Sequence, residues 1–182
     1  MEVPAMTLTN PAATRSGDTT DVWLTPPNIL KALGPFDLDP CAACNRPWDT
    51  AAIHYCIHDN GLARTWLGLV WCNPPYGRQA TEWLKQMAHH NNGIALIFAR
   101  TETKAFQQWV FGHATSILFL AGRIMFHRPD GTSSGNSAGA PSCLIAYGQT
   151  AHQRIANSNL KGAHIMLHSD PGAKQLEKGV HQ

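Results

Sequence analysis

The chain has 182 residues, enough for one hydrophobic core of ordinary size and too few for two. At 43% hydrophobic and 14% charged it reads as a folded globular protein, which excludes an intrinsically disordered one. The formal net charge of +2 excludes a strongly basic coat for indiscriminate nucleic-acid binding and leaves room for a local basic groove.

Residues 1–21 are rich in Pro, Thr, Ala and Ser and show no hydrophobic period, which predicts a flexible arm. They also lack a charged start followed by an apolar run, so no signal peptide is expected. The longest aliphatic stretch, Ile94 to Ala99, falls far short of the roughly 20 residues that span a bilayer. A soluble, cytoplasmic protein with no membrane partner is expected, and a monomer is favoured. Thr25 as N-cap and Pro26 at the first helical position predict a helix over 26–33, stopped by Gly34-Pro35. Phe36 to Asp39 alternates like a strand, and Pro40 forces it into a loop. Residues 42–58 are ambiguous, with a short strand near Ile53 to Cys56, and Asn60-Gly61 signals a turn.

Gly68 to Cys72 reads as a buried strand, and Ala80, Trp83, Leu84 and Met87 follow at helical spacing over 79–90. Ile94 to Phe98 is another buried strand, and 104–113 has Phe106, Trp109 and Val110 on one helical face. Ser116 to Leu120 and Ser142 to Tyr147 are the last strands, separated by a Gly-, Ser-, Asn- and Pro-rich loop at 129–141. Alternating strands and helices predict an α/β protein, with a mostly parallel sheet covered on both faces. The last two strands lack a helix between them, which predicts an antiparallel hairpin at the sheet's end. One domain is expected over 22–150, followed by a frayed polar tail over 151–182.

Five cysteines without an export signal argue for reduced thiols. Cys41 and Cys44 form a C-x2-C pair, with Cys56 and His58 beyond, but the second half of a zinc motif is missing and no metal is expected. Asp37 and Asp39 fall on one strand face. Asp37, near the strand start, suits a solvated or capping position, and Asp39 is favoured for function. His89-His90 ends a helix, where it complements the dipole.

The chemistry centres on Asn73-Pro74-Pro75-Tyr76, between a buried strand and a helix, where an open α/β sheet presents its binding residues. An adenine amine is a poor nucleophile because its lone pair is delocalised into the ring. The Asn73 amide oxygen can accept one amine hydrogen and the Pro74 carbonyl the other, which localises that lone pair. Pro74 and Pro75 fix the backbone beforehand. Tyr76 offers a ring on which an extruded base can stack, worth roughly 1–3 kcal/mol.

The ordered segments Trp23-x-Thr25-Pro26, FDLDPCA at 36–42, Asn60-Gly61-Leu62 with Trp66, VWCNPPYG at 70–77, GRIMF at 122–126 and APS at 140–142 resemble the phage-type DNA adenine methyltransferase (Dam) family. The resemblance spans residues 22 to 148. It implies a class I methyltransferase (Rossmann-like) fold, S-adenosylmethionine as methyl donor and DNA as substrate. It further implies a phage or prophage gene expressed in a bacterial host, with protection from restriction as the purpose. Asn73, Pro74, Pro75 and Tyr76 take the catalytic roles. Trp23, Thr25, Pro26, Asp39, Pro40, Cys41 and Ala42 resemble cofactor-binding positions, and Asp59 is the candidate for the ribose. Ala43-Cys44-Asn45 stands where the glycine-rich cofactor turn of such folds is expected. Arg78, Arg100, Arg123 and Arg128 are candidates for phosphate contacts, alongside Lys104. Rival readings are an RNA adenine or protein glutamine methyltransferase, and a catalytically silent DNA-binding module of the same fold.

Overall fold

The structure, a computed structural model, describes residues 22–167. The arm expected over 1–21 and the end of the expected tail, 168–182, lie outside the described residues. Helix α1 (Pro27–Leu33) begins one residue later than expected. Its N-cap is Pro26, because Pro27 supplies the fixed φ that suits a first helical residue. Thr25 makes no capping bond; its hydroxyl is buried without a protein partner. The chain continues through β1 (Leu38–Asp39), β2 (Ile53–His54), β3 (Val70–Cys72), α2 (Ala80–His90) and β4 (Gly93–Phe98). After a π-helical turn over Phe106–Phe111 come β5 (Ser116–Leu120), β6 (Ser142–Tyr147), α3 (Gln149–Ala156) and β7 (Gly162–Met166).

The strands make one sheet in the order β2-β1-β3-β4-β6-β5-β7. The four strands from β2 to β4 are mutually parallel, with Leu38 beside Val70 and Val70 beside Gly93. β6 runs antiparallel to both neighbours, pairing Ile94 with Ala146 on one side and Ile117 with Ile145 on the other. The expected antiparallel pairing of β5 and β6 is present, but β6 is inserted inside the sheet. The end of the sheet is β7, antiparallel to β5. The polar stretch expected as a tail from 151 is therefore folded as far as 167, and its strand is paired into the same sheet.

Alternation along the central strands sends side chains to two cores. Trp71, Ile94, Leu96 and Leu144 meet Ile29, Leu30 and Leu33 of α1 and Ala151 and Ile155 of α3. Val70, Cys72, Ala95, Ile97 and Ile145 meet Leu84 and Met87 of α2 and Phe106 and Val110 of the π-helical turn. Each fully buried large side chain contributes about 1.5–3 kcal/mol. These two layers hold β1, β3 and β4 in fixed register, so the chain segments leaving their carboxyl ends start from defined points.

Candidate active site

β1 and β3 are parallel neighbours, yet the chain leaves β1 for β2 on the opposite side. Such a reversal opens a crevice at the carboxyl ends of the strands. A cavity of about 560 Å³ lies there. Its wall combines Trp23 and Thr25 from before α1, Asp39 to Cys44 from the end of β1, Asn73 to Tyr76 from the end of β3, and Glu82 and Trp83 from α2.

Asn73 is anchored by its amide nitrogen, which donates to the Trp23 carbonyl at 3.0 Å. Its amide oxygen is buried and has no protein partner. Leaving a buried acceptor unpaired costs roughly 1–3 kcal/mol, a cost structures accept mainly where another molecule completes the bond. Pro74 is buried beside it and Pro75 is exposed. The Tyr76 ring stacks on Phe98 at 4.2 Å with planes 3° apart, and meets Phe126 edge-on at 6.3 Å. Phe98 covers one face of the tyrosine and fixes its plane. The Tyr76 hydroxyl is also buried without a partner, and burial pushes its pKa up.

Asp39 is 3% exposed. The Thr50 hydroxyl donates to one carboxylate oxygen at 2.5 Å and the Cys41 N–H to the other at 3.1 Å. Desolvation outweighs these donors and lifts the carboxyl from 3.8 to about 6. Thr50 itself is held by His54, whose Nε2 accepts the N–H groups of Thr50 and Ala51 at 3.2 Å each. Burial, with Arg46 nearby, lowers the His54 pKa and so keeps that nitrogen free to accept. Asp37, by contrast, is exposed and accepts the Leu69 N–H at 2.6 Å.

The opposite wall is Asn60 to Leu62. A Cβ on Gly61 would lie 1.9 Å from the Pro40 carbonyl oxygen, so only glycine permits this approach. The Trp66 indole N–H fixes the segment by donating to the Gly61 carbonyl at 2.8 Å, and its ring stacks against Trp83 at 6.2 Å. Ile57 lines the cavity while 86% exposed, an unusual position for an isoleucine.

Of the residues expected at a cofactor site, Trp23, Thr25, Asp39, Pro40, Cys41 and Ala42 line this cavity together with Asn73, Pro74, Pro75 and Tyr76. Pro26 is not on the wall; it caps α1. Asp59 is not on the wall either, because its carboxylate accepts the Cys56 N–H at 2.8 Å and closes a helical turn over Ile57–Asp59. Arg78 and Arg100 are exposed, past Tyr76 and past the end of β4. Arg123 donates to the Ala138 carbonyl, and Arg128 to the Ser133 and Ser134 carbonyls, so both guanidinium groups brace the 129–141 loop. Thr50, Ile57, Glu82 and Trp83 were not expected. Only Ile57 carried a signal, an isoleucine in a polar stretch just after a strand.

The reduced state expected for all the thiols does not hold. Cys44 and Cys56 form a disulfide with Cα atoms 5.1 Å apart. The parallel pairing of Asp39 with His54 carries the loop after β1 alongside the end of β2, a proximity that spacing alone does not reveal. Cys41 lies apart from that pair, with its sulfur 3.7 Å from the Cys72 sulfur.

A mixed α/β sheet thus carries, at its switch point, a cavity walled in part by Asn73, Pro74, Pro75 and Tyr76. Residues 13–167 match the family model described as DNA N-6-adenine-methyltransferase (Dam), and the chain belongs to that family. No curated protein and no solved structure matches the chain. Among the described residues, no helix is long and apolar enough to cross a membrane.

Proposed function

We propose that this protein transfers a methyl group from S-adenosylmethionine to the exocyclic amine of adenine in DNA, on a class I methyltransferase sheet. Family membership supports the reaction class, and the switch-point cavity of a mostly parallel sheet supports the fold. One observation carries the chemistry. The Asn73 amide oxygen is buried without a partner, while its amide nitrogen is tied to Trp23 and cannot take its place.

The wall residues fit the donor. A volume of about 560 Å³ is within the range of small-molecule sites. The buried Asp39 carboxyl suits a cationic ammonium, and the unpartnered Thr25 hydroxyl suits the polar amino-acid end. Ile57, Leu62 and Trp83 offer apolar contact to an adenosine. S-adenosylmethionine supplies an electrophilic methyl group carried on a sulfonium.

The chain's own part is to prepare the acceptor. Asn73 accepts one amine hydrogen and the Pro74 carbonyl the other, which draws the nitrogen lone pair out of the ring and towards the methyl group. Tyr76, held flat by Phe98, stacks the extruded base on its other face. The methylated amine is acidic enough to lose its proton to water, so no protein base is needed.

The test is transfer of a labelled methyl group to unmethylated duplex DNA, followed by nucleoside analysis. Methylated adenosine is expected from the wild type. Asn73→Ala should lower turnover about 10²–10³-fold, as for loss of other preorganised polar groups, without loss of the fold. Wild-type turnover in the variant would remove Asn73 from the mechanism. Label in RNA or in protein glutamine, and none in DNA, would move the acceptor to those substrates.

A further inference from the structure

The five cysteines divide by environment. Cys72 and Cys143 are fully buried, and Cys41 shares a sulfur–sulfur contact with Cys72 that raises its thiol pKa well above the ordinary value. Cys44 is exposed and Cys56 half-buried, and these two are joined. Thiol oxidation needs an accessible sulfur with a partner in reach, and the pair that includes the exposed Cys44 is Cys44 with Cys56.

Their position gives the bond a consequence. Both cysteines line the cavity, one after β1 and the other after β2. The segment between them has only the two residues of β2 as regular structure. It nevertheless supplies Thr50, which holds Asp39, and His54, which holds the Thr50 turn. Backbone hydrogen bonds tie Ala52, Ile53 and Tyr55 to the stretch from Phe36 to Ala42, and the disulfide adds a covalent tie between the two ends of the segment.

We propose that Cys44 and Cys56 are a site of reversible thiol oxidation that governs donor binding: the disulfide holds the wall in its binding shape, and reduction releases it. The proposal rests on the reading of this cavity as the donor site. With a small-molecule disulfide as oxidant, the thiolate of one cysteine attacks a sulfur of that disulfide, forming a mixed disulfide and expelling the first small thiolate. The second cysteine then displaces the other. The products are one protein disulfide and two small thiols, which carry away the two protons. A preorganised wall binds more tightly because less ordering remains to be done on binding, and about a tenfold difference in affinity is expected.

The full chain would be equilibrated with oxidised or with reduced glutathione, its free thiols alkylated, and its peptides mapped. Binding of S-adenosylhomocysteine, which is not consumed, would be measured by calorimetry in each state. The expected result is a Cys44–Cys56 bond, about tenfold weaker binding after reduction, and the weaker affinity under both conditions in Cys44→Ser and Cys56→Ser. Equal affinity in the two states of the wild type would overturn the proposal, as would a Cys41–Cys72 bond in its place. So would a tightly held metal that keeps the pair reduced, since the ligand atoms of Cys44, Cys56 and His58 lie within 4.8 Å of one another. If neither state binds S-adenosylhomocysteine, the donor-site reading fails by itself. The tie is then judged by amide exchange over residues 45–55, expected to be slower in the oxidised chain, and equal exchange in both states would overturn it.

Discussion

A carboxyl buried at the end of β1 with two hydrogen-bond donors still titrates at about 6, because desolvation exceeds what Thr50 and the Cys41 N–H return. The folded chain therefore binds more protons than the unfolded one between 3.8 and about 6. Stability falls as pH rises through that window: the cost is absent below it and complete above it, on the order of 3 kcal/mol. A bound ammonium would offset that cost at Asp39. Donor affinity should accordingly be constant near neutrality and fall below about pH 6, by up to about tenfold per unit. Asp39→Asn should bind more weakly and lose the pH dependence. Calorimetry across that range is the check, and a flat wild-type profile would take Asp39 out of the donor site. Asn73 and Asp39 were legible in the sequence because each is a polar residue at the end of a strand pattern, directly before a proline. Thr50 was not, because its part depends on β1 and β2 lying side by side.

Between β1 and β3 the chain builds the cavity from segments with little regular structure, held by turn and side-chain hydrogen bonds and by close approach. Gly61 lies so close to the Pro40 carbonyl oxygen that there is no room for a side chain between them. A Cβ 1.9 Å from that oxygen must push the Asn60–Leu62 wall away from Pro40 or displace the end of β1. Gly61→Ala should therefore cost about 1–3 kcal/mol of stability and weaken donor binding more than tenfold. Chemical denaturation and calorimetry together would show it, and an alanine variant with unchanged stability would mean that the wall yields freely. The strands and helices legible in the sequence were those with a strong period, such as α2, or an unbroken apolar run, such as β4. α3 was missed because QTAHQRIA buries only Ala151 and Ile155, and β7 because all five of its residues are exposed and give no alternation. The π-helical turn was read as an ordinary helix, since one extra residue per turn is invisible in so short a period.

At the scale of the whole molecule, two cores on opposite faces fix one seven-stranded sheet whose switch point carries the cavity. The proposed reaction on DNA gives contact with phosphates to exposed cations. Arg123 and Arg128 were legible as cations beside a loop, but their guanidinium groups are engaged with that loop's carbonyls, a use that no spacing could foretell. Arg78, Arg100 and Lys104 are exposed towards solvent. If about three phosphates are neutralised there, the logarithm of DNA affinity should fall with the logarithm of salt concentration at a slope of roughly −3. Substituting Arg78 or Arg100 with alanine should flatten that slope by about one while leaving donor affinity unchanged. Fluorescence anisotropy over a salt series would measure it. A slope twice as steep would mean that cations beyond these three, or a second copy of the chain, share the DNA.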